Sequence, residues 1–184
     1  MAVELPSYVI YTLTSPYSSL RSSRSKLTPH YDRPRKKDGK WEIGAIGFQM
    51  KGQRRLIDVG RCVIGTDAIN QKMEEKRREV RERGERGELK RMNRGATLLF
   101  RDSGGGVVTD HNEYVTETVK SEVGGEVKFR FKAGNFFQNN PHMIGTMVDY
   151  VVGWAVGDRG GKKGKYLIDT YCGSGLFALS AGGR

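Results

Sequence analysis

Two stretches of the 184-residue chain carry residue types at spacings that could do chemistry. In the first, Ile168-Asp169-Thr170-Tyr171-Cys172-Gly173-Ser174-Gly175, an apolar run ends in an acid and passes into a Gly-x-Gly turn. Such glycines let a ligand approach the backbone at the carboxyl end of a parallel strand. Alone, the turn is a weak signal, shared by dinucleotide and S-adenosylmethionine folds. In the second, Ala133-Gly134-Asn135-Phe136-Phe137-Gln138-Asn139-Asn140, side-chain amides stand beside two aromatics just ahead of a helical pattern. Plainer roles exist for both: Gln138 can cap a turn and Tyr171 can fill a core. Cys172, beside the glycines, has the setting that invites a nucleophile reading.

A third candidate surface is electrostatic. Residues 21–61 hold 12 basic and 4 acidic side chains, hence +8 of the chain's net +11. Tyr31, Trp41 and Phe48 are interleaved with these bases. Bases neutralise phosphates and aromatic faces stack on nucleobases, so the mixture suits RNA or another single strand. Arg24, Lys26, Arg54 and Arg55 are the candidate RNA contacts. The bland counterpart is a solvated surface with a Lys/Arg loop at 33–40.

Composition narrows the classes. No apolar run is long enough to cross a bilayer. Glu4, Pro6 and Ser7 occupy positions where a secretory leader would be basic and then apolar. The Ser- and Arg-rich stretch to residue 35, with Glu4 and Asp32 as its acids, leaves a transit peptide as the lesser reading. Two cysteines, Cys62 and Cys172, are too few for a disulfide framework, which points to a reducing intracellular compartment without distinguishing cytoplasm, nucleus or mitochondrion. With Cys62, Cys172 and three scattered histidines, no four-ligand metal site is expected.

The elements that must position these residues follow from periodicity. Alternating runs at 24–31, 41–50 and 54–59 predict strands, with 33–40 as a polar hairpin loop. Thr66 or Asp67 caps a helix that runs toward Arg83 and ends at Gly84 and Gly87. Its Glu and Arg/Lys ladder, such as Glu79 and Arg83 at i,i+4, reads as a solvated face rather than an RNA-reading one. Strands resume at 96–101, 107–110, 113–119 and 126–131. A helical period spans 140–156 from Asn140-Pro141, a Gly/Lys linker covers 157–165, and a short strand at 166–169 feeds the glycine turn and a helix from Leu176.

Taken together, AGNFFQNNPHM and, about thirty residues later, YLIDTYCGSGLFALSA resemble the RNA C5-uracil methyltransferase family, most closely its eukaryotic-type tRNA members. RSKLTPHYD, EIGAIGFQMKGQRRLIDVGRCVIGTDAI and KRMNRGATLLFRDS fit the same family, so the likeness covers about residues 16–184. It implies S-adenosylmethionine as cofactor, with Gln138 and Tyr171 in contact with it and Asp169, Gly173 and Gly175 shaping the pocket. Leu176 stands where a relative carries Asn, so no polar contact is carried over there. It further implies a thiolate that adds to C6 of uracil, attack of C5 on the cofactor methyl, and a carboxylate that removes the C5 proton. The family's nucleophile and glutamate lie beyond the glycine motif, in sequence this chain does not contain. Cys172 matches the motif's own cysteine, which is not the attacking one, so no catalytic residue is expected here. Cys62 matches the last ligand of an iron–sulfur cluster in some relatives; its three partners are absent and a buried structural thiol is expected.

The expected fold is α/β, α+β overall. A β-rich RNA-facing module at 1–132, with one inserted charged helix, precedes the start of a Rossmann-like S-adenosylmethionine-dependent domain at 133–184. The chain is expected to be a fragment that stops inside the first helix of that sheet, leaving 133–184 poorly packed. The expected partner is tRNA, methylated at a T-loop uridine by the intact enzyme, and the expected state is a monomer. A non-catalytic RNA-binding module is the alternative.

Overall fold

Pro29, fully buried, splits the first alternating run in two. In the computed structural model, which describes residues 21–155 and 166–182, β1 (Lys26–Leu27) and β2 (His30–Tyr31) on either side of it enter different sheets. The stretch 1–20 and the linker at 157–165 lie outside the described residues.

The run at 33–40, expected as the loop of a hairpin, carries paired strands of its own: β3 (Arg35–Lys37) pairs with β4 (Lys40–Glu42). Asp38 and Gly39 form its two-residue turn with φ of 49° and 83°, the left-handed pair whose twist matches paired strands. β5 (Ile46–Gln49) and β6 (Leu56–Asp58) follow. With β2 and β7 (Ala96–Thr97) they make an antiparallel sheet ordered β6-β5-β2-β7. β1, β8 (Phe100–Asp102) and β9 (Val107–Val108) form a second sheet.

α1 (Asp67–Glu85) starts where expected: Thr66 Oγ1 accepts a hydrogen bond from the Ile69 amide at 3.3 Å. Ile69, Met73, Val80 and Gly84 lie on its buried face. Gly84 does not end the helix. It sits inside it because a Cβ there would come within 2.5 Å of Ile43 Cγ1, so the glycine admits a close neighbour. The chain leaves the helix at Gly87, φ 72°. The charge ladder on the outer face is paired in part within the helix, as Lys72 with Glu75 at 2.8 Å and Lys76 with Glu79 at 2.7 Å.

β10 (Tyr114–Ser121) and β11 (Gly125–Lys132) form the longest hairpin, in register Val115↔Phe131 through Val119↔Val127. Its apolar face packs against α2 (Pro141–Ala155) and α3 (Leu176–Ala181) in one core with Phe129, Phe137, Ile144, Val148 and Val152. Each such buried side chain contributes about 1.5–3 kcal/mol. The expectation that everything after residue 132 packs poorly is therefore overturned for α2 and α3, because the hairpin supplies the apolar face they need. The strand expected at 166–169 does not form. Strand geometry requires a neighbour to hydrogen-bond with, and among the described residues none pairs with this stretch, which exposes Tyr166 and Ile168.

Candidate functional site

The Ala133–Asn140 loop leaves β11 and enters α2, and its two aromatics take opposite roles. Phe137 is buried, its ring 4.7 Å from that of Phe131 and 5.5 Å from that of Phe129. Phe136 is 72% exposed. Anchoring one ring in the hairpin core fixes the positions of Phe136 and Gln138 on either side of it. Gln138 is half-buried. Asn140 then starts α2 as the sequence predicts, its Oδ1 accepting from the His142 amide at 3.1 Å.

The other side of this loop is held by cations. Arg101, fully buried, donates from Nε to the Ala133 carbonyl at 3.2 Å and from Nη2 to the Asn135 carbonyl at 3.1 Å. Lys26 Nζ donates to the carbonyls of Gly134 at 2.8 Å and Asn135 at 3.0 Å. Ser25 adds bonds from its amide and Oγ to the Asn139 carbonyl, at 2.8 and 3.2 Å. Burial works against the charge on Lys26 and on Arg101, holding both below their ordinary basicity. Glu117, 3.7 Å from Arg101 Nη1, offsets part of that for Arg101, while burial pushes the Glu117 carboxyl above the usual carboxylate range. Arg101 was not singled out by the sequence, because an arginine in an alternating strand looks like any solvated base. Its burial is set by packing that periodicity does not encode.

The glycine turn is brought to this loop. Ser174 Oγ donates to the Phe136 carbonyl at 3.1 Å, joining motifs 38 residues apart. Gly173 and Gly175 have φ of 53° and 81°, and the Gly175 amide closes the turn onto the Cys172 carbonyl at 2.7 Å. Asp169, half-buried, accepts from the Tyr171 amide at 3.2 Å. The Tyr171 ring is 95% exposed, so it fills no core. Cys172 is exposed, and Cys62 is half-buried beside the α1 core with its amide bonded to Asn70 Oδ1. Among the described residues no group of three His, Cys, Asp or Glu side chains is placed to hold a metal ion.

The four RNA candidates separate. Arg54 and Arg55 line a groove of about 720 Å³ together with Arg33, Arg35, Lys36 and Lys37, against the acids Asp32 and Glu42. None of these six cations has a carboxylate partner among the described residues. The groove runs between the β3–β4 hairpin and the β5–β6 turn. Arg24 is exposed outside it, and Lys26 commits two of its three N–H donors to the loop carbonyls. Among the described residues no helix is long and apolar enough to cross a membrane.

Comparisons with known proteins agree with the motif resemblance. The chain is 38% identical over 165 residues to a tRNA (uracil(54)-C(5))-methyltransferase of Schizosaccharomyces pombe, a match covering 85% of this chain and 29% of that protein. It is 26% identical over 211 aligned residues to the Saccharomyces cerevisiae protein of the same name, covering 85% of this chain and 32% of the relative. The chain thus spans about a third or less of the length of these relatives. Among solved structures it resembles Pyrococcus abyssi tRNA (uracil-54, C5)-methyltransferase in complex with S-adenosyl-L-homocysteine, with a TM-score of 0.52 and 14% identity over 88% of this chain and 47% of that one. That likeness is one of fold: mixed α and β, rich in strands. No protein-family model matches the chain.

Proposed function

We propose that this chain, related to the tRNA (uracil-54, C5)-methyltransferases, supplies the tRNA-facing module and the leading part of the S-adenosylmethionine domain of such an enzyme. The observation that carries this reading is the Ser174–Phe136 hydrogen bond, 3.1 Å, which sets the amide loop against the glycine turn. The donor set suits the cofactor. The half-buried Gln138 offers an amide, the exposed Tyr171 ring offers a face for stacking, and the space around Gly173 leaves the backbone approachable, its nearest neighbour to an added Cβ being 3.9 Å away. Asn139 Oδ1, buried with no hydrogen-bond partner among the described residues, is a further acceptor in the same loop. When bound, S-adenosylmethionine supplies the methyl group. Gln138 and Tyr171 orient it, while Asp169, Gly173 and Gly175 shape the turn against which it rests.

The basic groove receives the RNA backbone, and the target uridine is extruded toward the pocket, as chemistry on a base requires. No residue of this chain is assigned as the attacking thiolate or the proton-accepting carboxylate. Cys172 is part of the turn that shapes the pocket, and Cys62 packs beside α1. On this reading 1–132 is the RNA-facing module and 133–184 the start of a Rossmann-like domain, the chain is monomeric, and the two free cysteines suit an intracellular setting.

The test is to titrate the purified 184-residue chain with S-adenosylhomocysteine by calorimetry and with a T-arm RNA hairpin at several salt concentrations, and then to incubate chain and hairpin with S-adenosylmethionine and assay the RNA for 5-methyluridine. Binding of both, with RNA affinity falling steeply in salt and no 5-methyluridine formed, is the expected result. Formation of 5-methyluridine would overturn the statement that no catalytic residue lies in this chain. RNA binding without cofactor binding would favour a second reading, a non-catalytic RNA-binding module. That reading has its own support, since the groove is built entirely from residues 32–56.

A further inference from the structure

The cations expected to serve RNA include one that points elsewhere. Lys26 on β1 and Arg101 on β8 are paired strand neighbours, in register Lys26↔Arg101. From that shared edge they send four hydrogen bonds to three consecutive carbonyls, those of Ala133, Gly134 and Asn135. Those carbonyls belong to the residues directly before Phe136, Phe137 and Gln138. Carbonyls turned toward two cations cannot turn elsewhere, so the backbone direction at residue 135 is fixed by the RNA-facing module. Phe137, packed on Phe131, fixes it from the other side.

We propose that Lys26 and Arg101 are positioning residues for the cofactor loop, acting through the direction they impose on Gln138. The proposal rests on the reading that Gln138 contacts S-adenosylmethionine. It makes the two parts of the chain interdependent. Charge-assisted hydrogen bonds are stronger than neutral ones, and two cations side by side are tolerated here because the carbonyls and Glu117 offset their repulsion.

Lys26 is the residue to vary, because it is half-buried and Lys26→Met keeps the stem while removing every donor. Affinity for S-adenosylhomocysteine is measured by calorimetry on the whole chain, alongside hydrogen exchange of the amides at 135–139. Lys26→Met should speed that exchange and weaken binding by about 10-fold, and Gln138→Ala should weaken it by a similar factor. The double variant should lose on the order of 10- to 20-fold in total, well short of the roughly 100-fold of independent sites. A full multiplicative loss would make Lys26 a general brace and overturn the proposal, as would unchanged affinity or unchanged exchange in Lys26→Met. If the unaltered chain binds the T-arm hairpin but no S-adenosylhomocysteine, the cofactor reading itself fails and takes this inference with it. If it binds both and Lys26→Met is silent, only this inference falls.

Discussion

The cations around the 133–135 loop and those lining the groove at 33–55 come from the same basic sequence and behave as opposites. Arg101 has no exposed surface, donates to two carbonyls, and lies 5.2 Å over the Phe131 ring. Arg54 and Arg55 are exposed, have no carboxylate partner among the described residues, and share a groove with four more cations. A buried cation is a stability element whose loss leaves other polar groups unpaired. An open, unpaired cluster destabilises the fold slightly through repulsion and persists for what it can bind. The two sets should therefore respond in opposite ways to the same substitution.

The largest effect is expected at Arg101. Arg101→Met removes a fully buried charge from beside Glu117, strips the Ala133 carbonyl of its Arg101 donor and leaves the Asn135 carbonyl with Lys26 alone. The expected loss is about 3–5 kcal/mol in urea unfolding, because the Glu117 carboxylate is left buried without its counter-charge. Adding Glu117→Gln should recover part of it. The pH dependence has a definite sign. Burial raises the folded-state value for Glu117 above that in the unfolded chain, so its ionisation costs stability as pH rises through the folded value. Without Arg101 that cost grows, and the variant's deficit should shrink on acidification from pH 8 toward pH 5. A deficit independent of pH would show that Glu117 is not the group left exposed to the loss.

Arg77 tests the same distinction at an intermediate position. It is buried on α1, where it donates to the Ile46 carbonyl and pairs with Asp58 at 2.8 Å. Asp58 is half-exposed and also accepts from the Ile46 amide at 2.8 Å. Burial pulls the Asp58 carboxyl upward, but its bonds from Arg77 and Ile46 and the nearby charges of Arg77 and Arg81 outweigh this and hold it below the ordinary range. Arg77→Met should cost about 2 kcal/mol, less than Arg101→Met because water can take over part of the Asp58 carboxylate. The stability Asp58 contributes is present above the unfolded carboxylate value and is lost as pH falls through the folded one, so Asp58→Asn should flatten the acid limb of the unfolding curve.

Charge density and the order of motifs were legible in the sequence, and so were α1, α2 and the long hairpin, because periodicity records which face is buried. The Asn140-Pro141 start and the Thr66 cap were legible for the same local reason. The fate of individual cations was not. Lys26 and Arg54 look alike in sequence, and only the packing of β1 beside β8 turns Lys26 toward the loop carbonyls. The hairpin at 35–42 carried its signal in Asp38-Gly39, a left-handed turn pair that a count of polar residues conceals. Gly84 was legible as a glycine but not as a contact point, since Ile43 is distant along the chain. The strand expected at 166–169 shows the converse limit. An apolar run states a preference, and a strand needs a partner to realise it.

The sharpest contrast is expected where the effect on stability is smallest. Arg54→Ala combined with Arg55→Ala breaks no hydrogen bond or ion pair among the described residues, so the urea midpoint should move by no more than about 0.5 kcal/mol. RNA affinity should fall, and the slope of log affinity against log salt should become shallower by about 1 for each phosphate contact removed, at most about 2 for the pair. The loss should be nearly the same for a T-arm hairpin and an unrelated hairpin of equal length, because backbone contacts position an RNA without reading its sequence. Arg24→Ala, outside the groove, serves as the reference and should leave the salt slope unchanged. If Arg24→Ala flattens the slope as much as the groove variant does, the bound RNA follows the general positive field of residues 21–61 rather than the groove. The division between buried and open cations would then stand for stability alone.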